Sequence, residues 1–356
     1  MQSRLDLTVC SLTIGYGSNG RYPESEILAE NFCVQTDSTY LRHTYSGFGP
    51  SQAFDVVSGG RFEHRLLSSK LANMVHQRLT LGDIVIETGC YDFPVIANGC
   101  MPRNSVCIGL MADGAEITRV NTASIHADEI QIYPRGAELL YHAAGTSRWI
   151  NFNVPEGRLQ KVATVRRGRP LKLPTRSAAS VPLKRGGRAA LALLVDDAMS
   201  LARSLEPDGM APDLAREMSD AMVDAYASAL CDAQIPTTAS TSSTADRHHR
   251  LILACERLAM SSDETDLALV QVAERSGYSL RSLQLIFRRS VGMTPGRWFM
   301  NIRLNGALRD LLTPTEDCSV TDVARKWGFH HLSRFAYHYR TMFGELPSET
   351  LRRARP

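Results

Sequence analysis

Two groups of side chains near the end of the sequence, most of them polar, have the chemistry needed to bind a nucleic acid. In the first group, Arg281, Gln284, Leu285 and Arg288 recur at steps of three and four residues, a spacing that places them on one face of a helix. Arginine forms two hydrogen bonds to guanine, glutamine forms two to adenine, and an apolar side chain such as Leu285 can meet the thymine methyl. This pattern therefore predicts a helix whose outward face carries these side chains.

The surrounding sequence predicts the elements that must hold this face in place. An amphipathic helix over about Leu267–Ser276 buries Leu269, Val272 and Ala273, and Gly277 supplies the left-handed backbone that ends it. Ser279 can then cap a second helix over about Leu280–Ser290, whose Leu283, Ile286 and Phe287 face inward. Helix, glycine turn and polar-faced helix together indicate a helix-turn-helix unit.

The unit is repeated after about 51 to 52 residues, as the paired motifs show. Val272-Ala273 corresponds to Val323-Ala324, Gly277-Tyr278 to Gly328-Phe329, Gly292 to Gly344, and Pro295 to Pro347. In the second copy Ser319 is the predicted cap, and the second recognition helix runs from about His331 to Met342. A helix from Pro295, capped by Thr294, connects the copies, so both could enter successive major grooves about 34 Å apart.

These motifs, from Val272-Ala273 to Gly344-Glu345-Leu346-Pro347-Ser348, make residues 246–354 resemble the DNA-binding domain of the AraC/XylS family of bacterial transcription regulators. The resemblance implies two sets of DNA-binding residues. They are Ser279, Arg281, Ser282, Gln284, Leu285, Arg288 and Arg289 in the first unit, and His330, His331, Leu332, Ser333, Arg334, Tyr337 and Arg340 in the second. Leu285 and Tyr337 stand where arginine is usual. We therefore expect the first unit to read sequence and the second to bind mainly phosphates through Arg334 and Arg340.

The resemblance also implies partners and a fold for the rest of the chain. The partners are double-stranded promoter DNA, RNA polymerase, a small-molecule effector and a second copy of the chain. The fold class is α+β and multidomain, with an N-terminal β-rich, cupin-like barrel, two accessory helices, and a C-terminal all-α domain with two helix-turn-helix units. No catalytic residue, metal or cofactor is expected. The alternative is a cysteine-based redox sensor or an enzyme domain, suggested by Cys90, Cys100 and Cys107, fused to a DNA-binding module.

Length and composition agree with a regulator of more than one domain. The chain has 356 residues, which is too long for one ordinary hydrophobic core. Its 44% hydrophobic and 22% charged residues are typical of a globular protein. Residues 246–356 carry 17 Lys and Arg against 12 Asp and Glu, although the whole chain is only +3. Positive charge is therefore concentrated where the repeats lie. The absence of an apolar run of about 18 residues and of a signal-peptide core predicts a cytoplasmic protein without a membrane segment.

Upstream of the repeats, the sequence predicts four further segments. Residues 1–165 are predicted to form short strands and turns, among them strands at 129–133 and 149–154, a pattern typical of an all-β sandwich or barrel. Residues 166–188 form a basic stretch, either a solvated connector or a phosphate-binding arm. Residues 189–232 contain two amphipathic helices, which either cover the barrel or form a dimer interface. The hydroxyl-rich residues 233–246 are a flexible linker before the DNA-binding domain at 247–356.

The predicted β-rich domain has few candidates for a site. An enzymatic cupin needs an HxH pair with a further Glu and His, whereas His126 stands alone near Asp128 and Glu129. Trp149, Tyr133, Tyr141 and Arg135 are candidates to line a pocket, with core packing as the alternative.

Overall fold

The computed structural model describes residues 38–46, 56–67, 73–233, 243–261 and 265–355. Its first part, residues 38–233, contains two sheets. The larger has the strand order β1-β3-β4-β11-β6-β9-β12, with every neighbouring pair antiparallel. Its strands are β1 (Ser38–Ser46), β3 (Asn73–Leu81), β4 (Ile84–Tyr91), β6 (Val106–Asp113), β9 (Glu129–Tyr133), β11 (Ser147–Val154) and β12 (Ala179–Pro182).

The smaller sheet has five strands in the order β2-β5-β10-β7-β8. They are β2 (Arg61–Leu66), β5 (Val95–Cys100), β7 (Thr118–Val120), β8 (Ala123–Ser124) and β10 (Glu138–Ala143). The prediction of a β-rich domain is confirmed. The closed barrel is not found in the described residues: each sheet keeps two edge strands, and the sheets face each other across an apolar interior.

Three helices, one more than predicted, cover the outer face of the seven-stranded sheet. They are α1 (Glu156–Arg167), α2 (Gly187–Ser204) and α3 (Pro212–Asp232). Leu159, Val195 and Tyr226 bury their side chains against the isoleucine-rich face of the sheet, where Tyr226 stacks on Phe152 with ring centroids 4.2 Å apart. The sequence left open whether the predicted pair covers the sheet or forms a dimer interface; both helices pack on the sheet here. The last predicted strand ends before Pro155 as in the structure, and α1, for which Pro155 is the N-cap, follows it.

The basic stretch 166–188 is not a solvated connector throughout. Its residues 179–182 form β12, which pairs with β9, because Ala179 and Val181 can be buried against the sheet. Arg166 and Lys184 pair with Asp224 and Asp232 of α3. The larger part of the predicted linker, residues 234–242, lies outside the described residues, and helix α4 begins at Ser243.

The last part of the chain is all-helical. After α4 (Ser243–Ser261) come α5 (Thr265–Ser276), α6 (Leu280–Val291), α7 (Pro295–Leu312), α8 (Val320–Lys326), α9 (Leu332–Phe343) and α10 (Pro347–Ala354). We call residues 243–355 the helical domain and residues 38–233 the sheet domain. The two share buried apolar clusters, in which Ile96 and Leu140 pack with Ile252 and Trp298. The five-stranded sheet therefore lies between the seven-stranded sheet and the helical domain.

Candidate DNA-binding interface

The first helix-turn-helix consists of α5 and α6. Gly277, with φ +72°, makes the turn, and the Oγ of Ser279 accepts a hydrogen bond from Ser282 N at 3.1 Å, so Ser279 is the N-cap of α6. Leu283 and Phe287 are fully buried, against Trp298 among others. Because the inward face is fixed by this packing, the opposite face of α6 is presented to solvent.

The predicted reading residues share that exposed face. Arg281, Gln284 and Arg288 are exposed, and 45% of the Leu285 surface remains accessible. Ser282 is half-buried, because its backbone takes part in the cap. In the described part of the chain, Arg281, Arg288 and Arg289 form no ion pair. Their guanidinium groups are therefore available to an anionic partner.

The second unit, α8 and α9, has the same construction with a different surface. Ser319 caps α8 by accepting from Asp322 N at 3.1 Å, and Gly328, with φ +74°, makes the turn. Phe335 and Tyr339 anchor α9 in the core. Outward, 44% of Leu332 and 68% of Tyr337 are accessible. The remaining predicted DNA-binding residues of this unit, His330, His331, Ser333, Arg334 and Arg340, are exposed.

The end of the second unit is fixed by a buried polar group. Tyr339 Oη lies 2.8 Å from Thr350 Oγ1, which donates to Glu345 Oε1 at 2.7 Å. Burial raises the pKa of Glu345, but hydrogen bonds from Arg353 and Thr350 outweigh burial and hold that pKa below its usual value. α10 is therefore held against α9 by ionic hydrogen bonds as well as apolar contacts.

Helix α7 connects the two units through close packing at both ends. Near its start Trp298 is fully buried in the cluster that contains the first unit, and near its end Leu311 is buried in the cluster that contains the second. Gly306 lies beneath the Trp327 ring, with no space for a Cβ atom, and Trp327 Nε1 donates to Asp310 Oδ2 at 2.8 Å. The units are thus attached to opposite ends of one helix.

A polar interface joins β2 of the sheet domain to the helical domain, and sequence reasoning missed all of it. Arg65 Nη1 donates to Glu256 Oε1 of α4 at 2.8 Å, and Trp298 Nε1 donates to the same oxygen at 2.7 Å. Glu63 Oε1 accepts from Arg309 Nη2 at 2.8 Å. Because Arg65 is 4% exposed and Glu256 7%, breaking this pair would leave a buried charge without its partner.

Two asparagines of α7 complete this interface. Asn305 Oδ1 accepts from Leu66 N at 2.8 Å, and Asn301 Nδ2 donates to Leu66 O at 2.7 Å. β2 is an edge strand of its sheet, so these amides bond backbone groups that no neighbouring strand pairs. A visible signal was present: two asparagines four residues apart interrupt an apolar helix.

A cavity of about 40 Å³ lies between the two sheets. Trp149, Tyr133 and Tyr141 line it and also belong to the buried core, so they fit both interpretations of the sequence. Arg135 instead pairs with Glu156 at 3.2 Å on the surface. Phe62, His64 and Tyr91 also line it, and His64 Nε2 lies 2.8 Å from Tyr91 Oη.

Strands of the smaller sheet contact the cavity on one face and the helical domain on the other. His64 faces the cavity, and its neighbour Arg65 bonds Glu256. In β10, Tyr141 lines the cavity, whereas the ring of His142 approaches Gly292, which ends α6. Because successive side chains of a strand point to opposite faces, a residue that lines the cavity is followed in both β2 and β10 by a residue that contacts the helical domain.

The cysteines that suggested a redox sensor differ in burial, and two of them are less reactive as a result. Burial raises the pKa of the Cys90 and Cys107 thiols, which disfavours the reactive thiolate. Cys100 is exposed. Within the described ranges, no three His, Cys, Asp or Glu side chains are grouped as a metal site. Likewise, no helix described here is both long and apolar enough to cross a membrane.

Comparison with known proteins agrees with this geometry. Residues 272–353 match a family model described as a helix-turn-helix domain. Over 88 residues the chain is 47% identical to the "Probable thc operon regulatory protein" of Rhodococcus erythropolis, covering 24% of this chain and 26% of that protein. Over 86 residues it is 44% identical to the "XylDLEGF operon transcriptional activator 2" of Pseudomonas putida, covering 24% of this chain and 55% of that one.

A solved structure is also similar to part of this chain. It is "a probable AraC family transcriptional regulator" from Rhodopseudomonas palustris, 34% identical, and the match covers 30% of this chain and 99% of that chain with a TM-score of 0.28. These proteins are named as regulators, which agrees with the prediction that the chain is a transcription regulator and not an enzyme. Part of the chain is therefore similar in sequence to proteins named as operon regulators and transcriptional activators, and residues 272–353 match a helix-turn-helix domain.

Proposed function

We propose that this protein is a cytoplasmic transcription regulator that binds promoter DNA sequence-specifically and responds to a small molecule bound in its sheet domain. The observation that carries the DNA-binding part is the exposed face of α6, where Arg281 and Gln284 stand on a helix capped by Ser279. A helix of this kind fits the major groove, and both side chains have the donors that distinguish guanine and adenine.

The two units are proposed to have different roles. α6 presents Arg281 and Gln284, which suit base recognition, whereas α9 presents the apolar Leu332 and the phenol of Tyr337 with the cationic Arg334 and Arg340. Cations bind phosphates without reading sequence. We therefore propose that α6 supplies most of the specificity and α9 mainly affinity.

Selection of bound sites from random DNA, followed by titration with salt, tests this function. We expect a recovered consensus sequence, and an affinity that falls as salt rises because phosphate contacts release counterions. Recovery of no consensus, with equal affinity for selected and random duplexes, would refute sequence-specific binding.

The proposed response to an effector depends on β2 and β10. A molecule in the cavity would contact His64 and Tyr141, and the next residues of the same strands, Arg65 and His142, contact the helical domain. Binding that shifts either strand would alter the attachment of the first unit. A thermal-shift screen of metabolites, with DNA affinity measured for each hit, tests this; hits that raise the melting temperature without changing DNA affinity would refute coupling.

RNA polymerase and a second copy of the chain are proposed as protein partners, and the proposed action is activation. Activation follows the name of the Pseudomonas relative, a transcriptional activator. For a second copy, α1 and α2 leave Val165 83% and Leu193 62% accessible, so this layer offers apolar surface. Sedimentation with Leu193→Glu tests the dimer, and transcription from a selected site with purified polymerase tests activation.

A further inference from the structure

We propose that the cavity binds an uncharged, largely aromatic molecule that accepts a hydrogen bond from Gln131. The biological use of such a ligand rests on the proposed function, but its binding does not. The site consists of residues that the sequence places far apart and that no comparison assigns.

The apolar part of the site consists of aromatic rings. Five of the lining residues, Phe62, Tyr91, Tyr133, Tyr141 and Trp149, carry them. Tyr91 and Tyr141 have their ring centroids 6.2 Å apart, and Trp149 lies flat over Gly89, where a Cβ atom would collide with its ring. The space that these walls enclose is about 40 Å³, more than twice the roughly 10–15 Å³ that a single water molecule needs. A flat ring system is the shape that such walls accept.

The polar part is a short row across the seven-stranded sheet. Asn151 of β11 lies directly opposite Gly109 of β6, which lies directly opposite Gln131 of β9, and all three line the cavity. Because Gly109 has no side chain, the Tyr133 ring can pack against the backbone between the two carboxamides. A Cβ atom on Gly109 would lie 3.1 Å from Asn151 Oδ1 and 2.8 Å from the Tyr133 ring, so a larger residue would displace that ring.

Gln131 places a buried hydrogen-bond donor at the cavity. Its side chain is 2% exposed, and its Nε2 has no hydrogen-bond partner among the described residues. A buried donor left unpaired loses its hydrogen bond to water without replacement, which is destabilising. A ligand with a carbonyl, ether or similar acceptor beside Gln131 would remove that destabilisation, and the neighbouring Asn151 Oδ1 could accept from a ligand N–H.

Charge selects the ligand class further. None of the described lining residues is Lys, Arg, Asp or Glu. The nearby buried Glu87 already accepts from Arg78 and Asn153. Burial, together with His76, lowers the pKa of His64 to about 4, so His64 is neutral at pH 7. A carboxylate or an ammonium group would lose its hydration without meeting a counter-charge, which is costly.

An isosteric series of probes tests the proposal on the full-length protein. Naphthamide is uncharged, naphthoate is its anionic analogue and naphthylmethylamine its cationic analogue. Binding is measured by calorimetry and by quenching of Trp149 fluorescence, with Trp149→Phe identifying that signal. Gln131→Met removes the donor at similar volume, and Gln271→Met, on the exposed surface of α5, is the matched control.

We expect naphthamide to bind at least tenfold more tightly than either charged analogue, and Gln131→Met to weaken it about tenfold while Gln271→Met does not. A charged analogue that binds as tightly as the amide would overturn the proposal. So would a folded Gln131→Met protein of unchanged amide affinity, or an absence of binding by any probe at millimolar concentration. Site selection on the same preparation without probe tests the proposed function separately, because it needs no ligand.

Discussion

Asn305 of α7 forms hydrogen bonds with the backbone of Leu66 in the edge strand β2. Asn305→Ala should therefore weaken the contact between the sheet domain and the helical domain. Asn305 Oδ1 accepts from Leu66 N at 2.8 Å, and its Nδ2 donates to Leu66 O at 3.1 Å. In the variant, Leu66 O keeps its 2.7 Å bond from Asn301. The Leu66 N–H, however, is left buried without a partner, which costs about 1–3 kcal/mol.

We expect a loss of about 2 kcal/mol, and two measurements follow from it. The Leu66 amide should exchange hydrogen about 30-fold faster if exchange requires local opening. The melting temperature should fall by about 4–8 °C for a domain of this size. The matched control is Asn104→Ala, since Asn104 is an exposed loop residue of the sheet domain.

Two outcomes would refute this reasoning. The first is a Leu66 amide that exchanges within twofold of the wild-type rate in Asn305→Ala. The second is an equal fall in melting temperature for Asn305→Ala and Asn104→Ala, since the effect would then owe nothing to the domain contact.

Three other predictions concern affinity, pH and thiols. Arg340→Ala should weaken binding to selected and random DNA alike and lower the salt dependence by about one phosphate contact; a loss confined to the selected site in a gel-shift titration would contradict the role of α9. Burial and Arg119 lower the pKa of His142 to about 4, against about 6.5 for an unfolded histidine. The unfolded state therefore takes up the proton first, and stability should fall as pH drops from about 6.5 toward 4, by up to about 1.4 kcal/mol per pH unit. In urea unfolding, His142→Gln should flatten this profile while the exposed His126→Gln does not; a profile unchanged by His142→Gln would contradict the assignment. Treatment with a thiol-alkylating reagent should leave DNA affinity unchanged, because burial raises the pKa of Cys90 and Cys107 and so protects these thiols, and the exposed Cys100 lies in β5 of the sheet domain; a large loss of affinity would support a redox sensor.

The helix-turn-helix units could be predicted because their signals are local. Ser279 lies three residues before the backbone N–H that it caps, and Gly277 and Gly328 both adopt the positive φ that their turns require. Phe335 and Tyr339 repeat at helical spacing and are buried as that spacing predicts.

The contacts between domains could not be predicted, because their partners lie far apart in the sequence. Asn305 and Leu66 are 239 residues apart, and Arg65 and Glu256 are 191 apart. Only the alternation of β2 and its position at a sheet edge bring these groups together. The row of Asn151, Gly109 and Gln131 along the cavity likewise depends on the strand order β11-β6-β9, which the periodicity of hydrophobic residues in the sequence does not reveal.

The most direct test of the central claim is the specificity of Gln284→Ala on a selected site, with Gln271→Ala, a substitution of an exposed glutamine on α5, as control. If α6 reads sequence, Gln284→Ala should cost about 1–3 kcal/mol on that site and accept other bases at one position, while its affinity for random DNA stays unchanged. Equal losses of Gln284→Ala on selected and random duplexes, with no position relaxed, would contradict reading by α6.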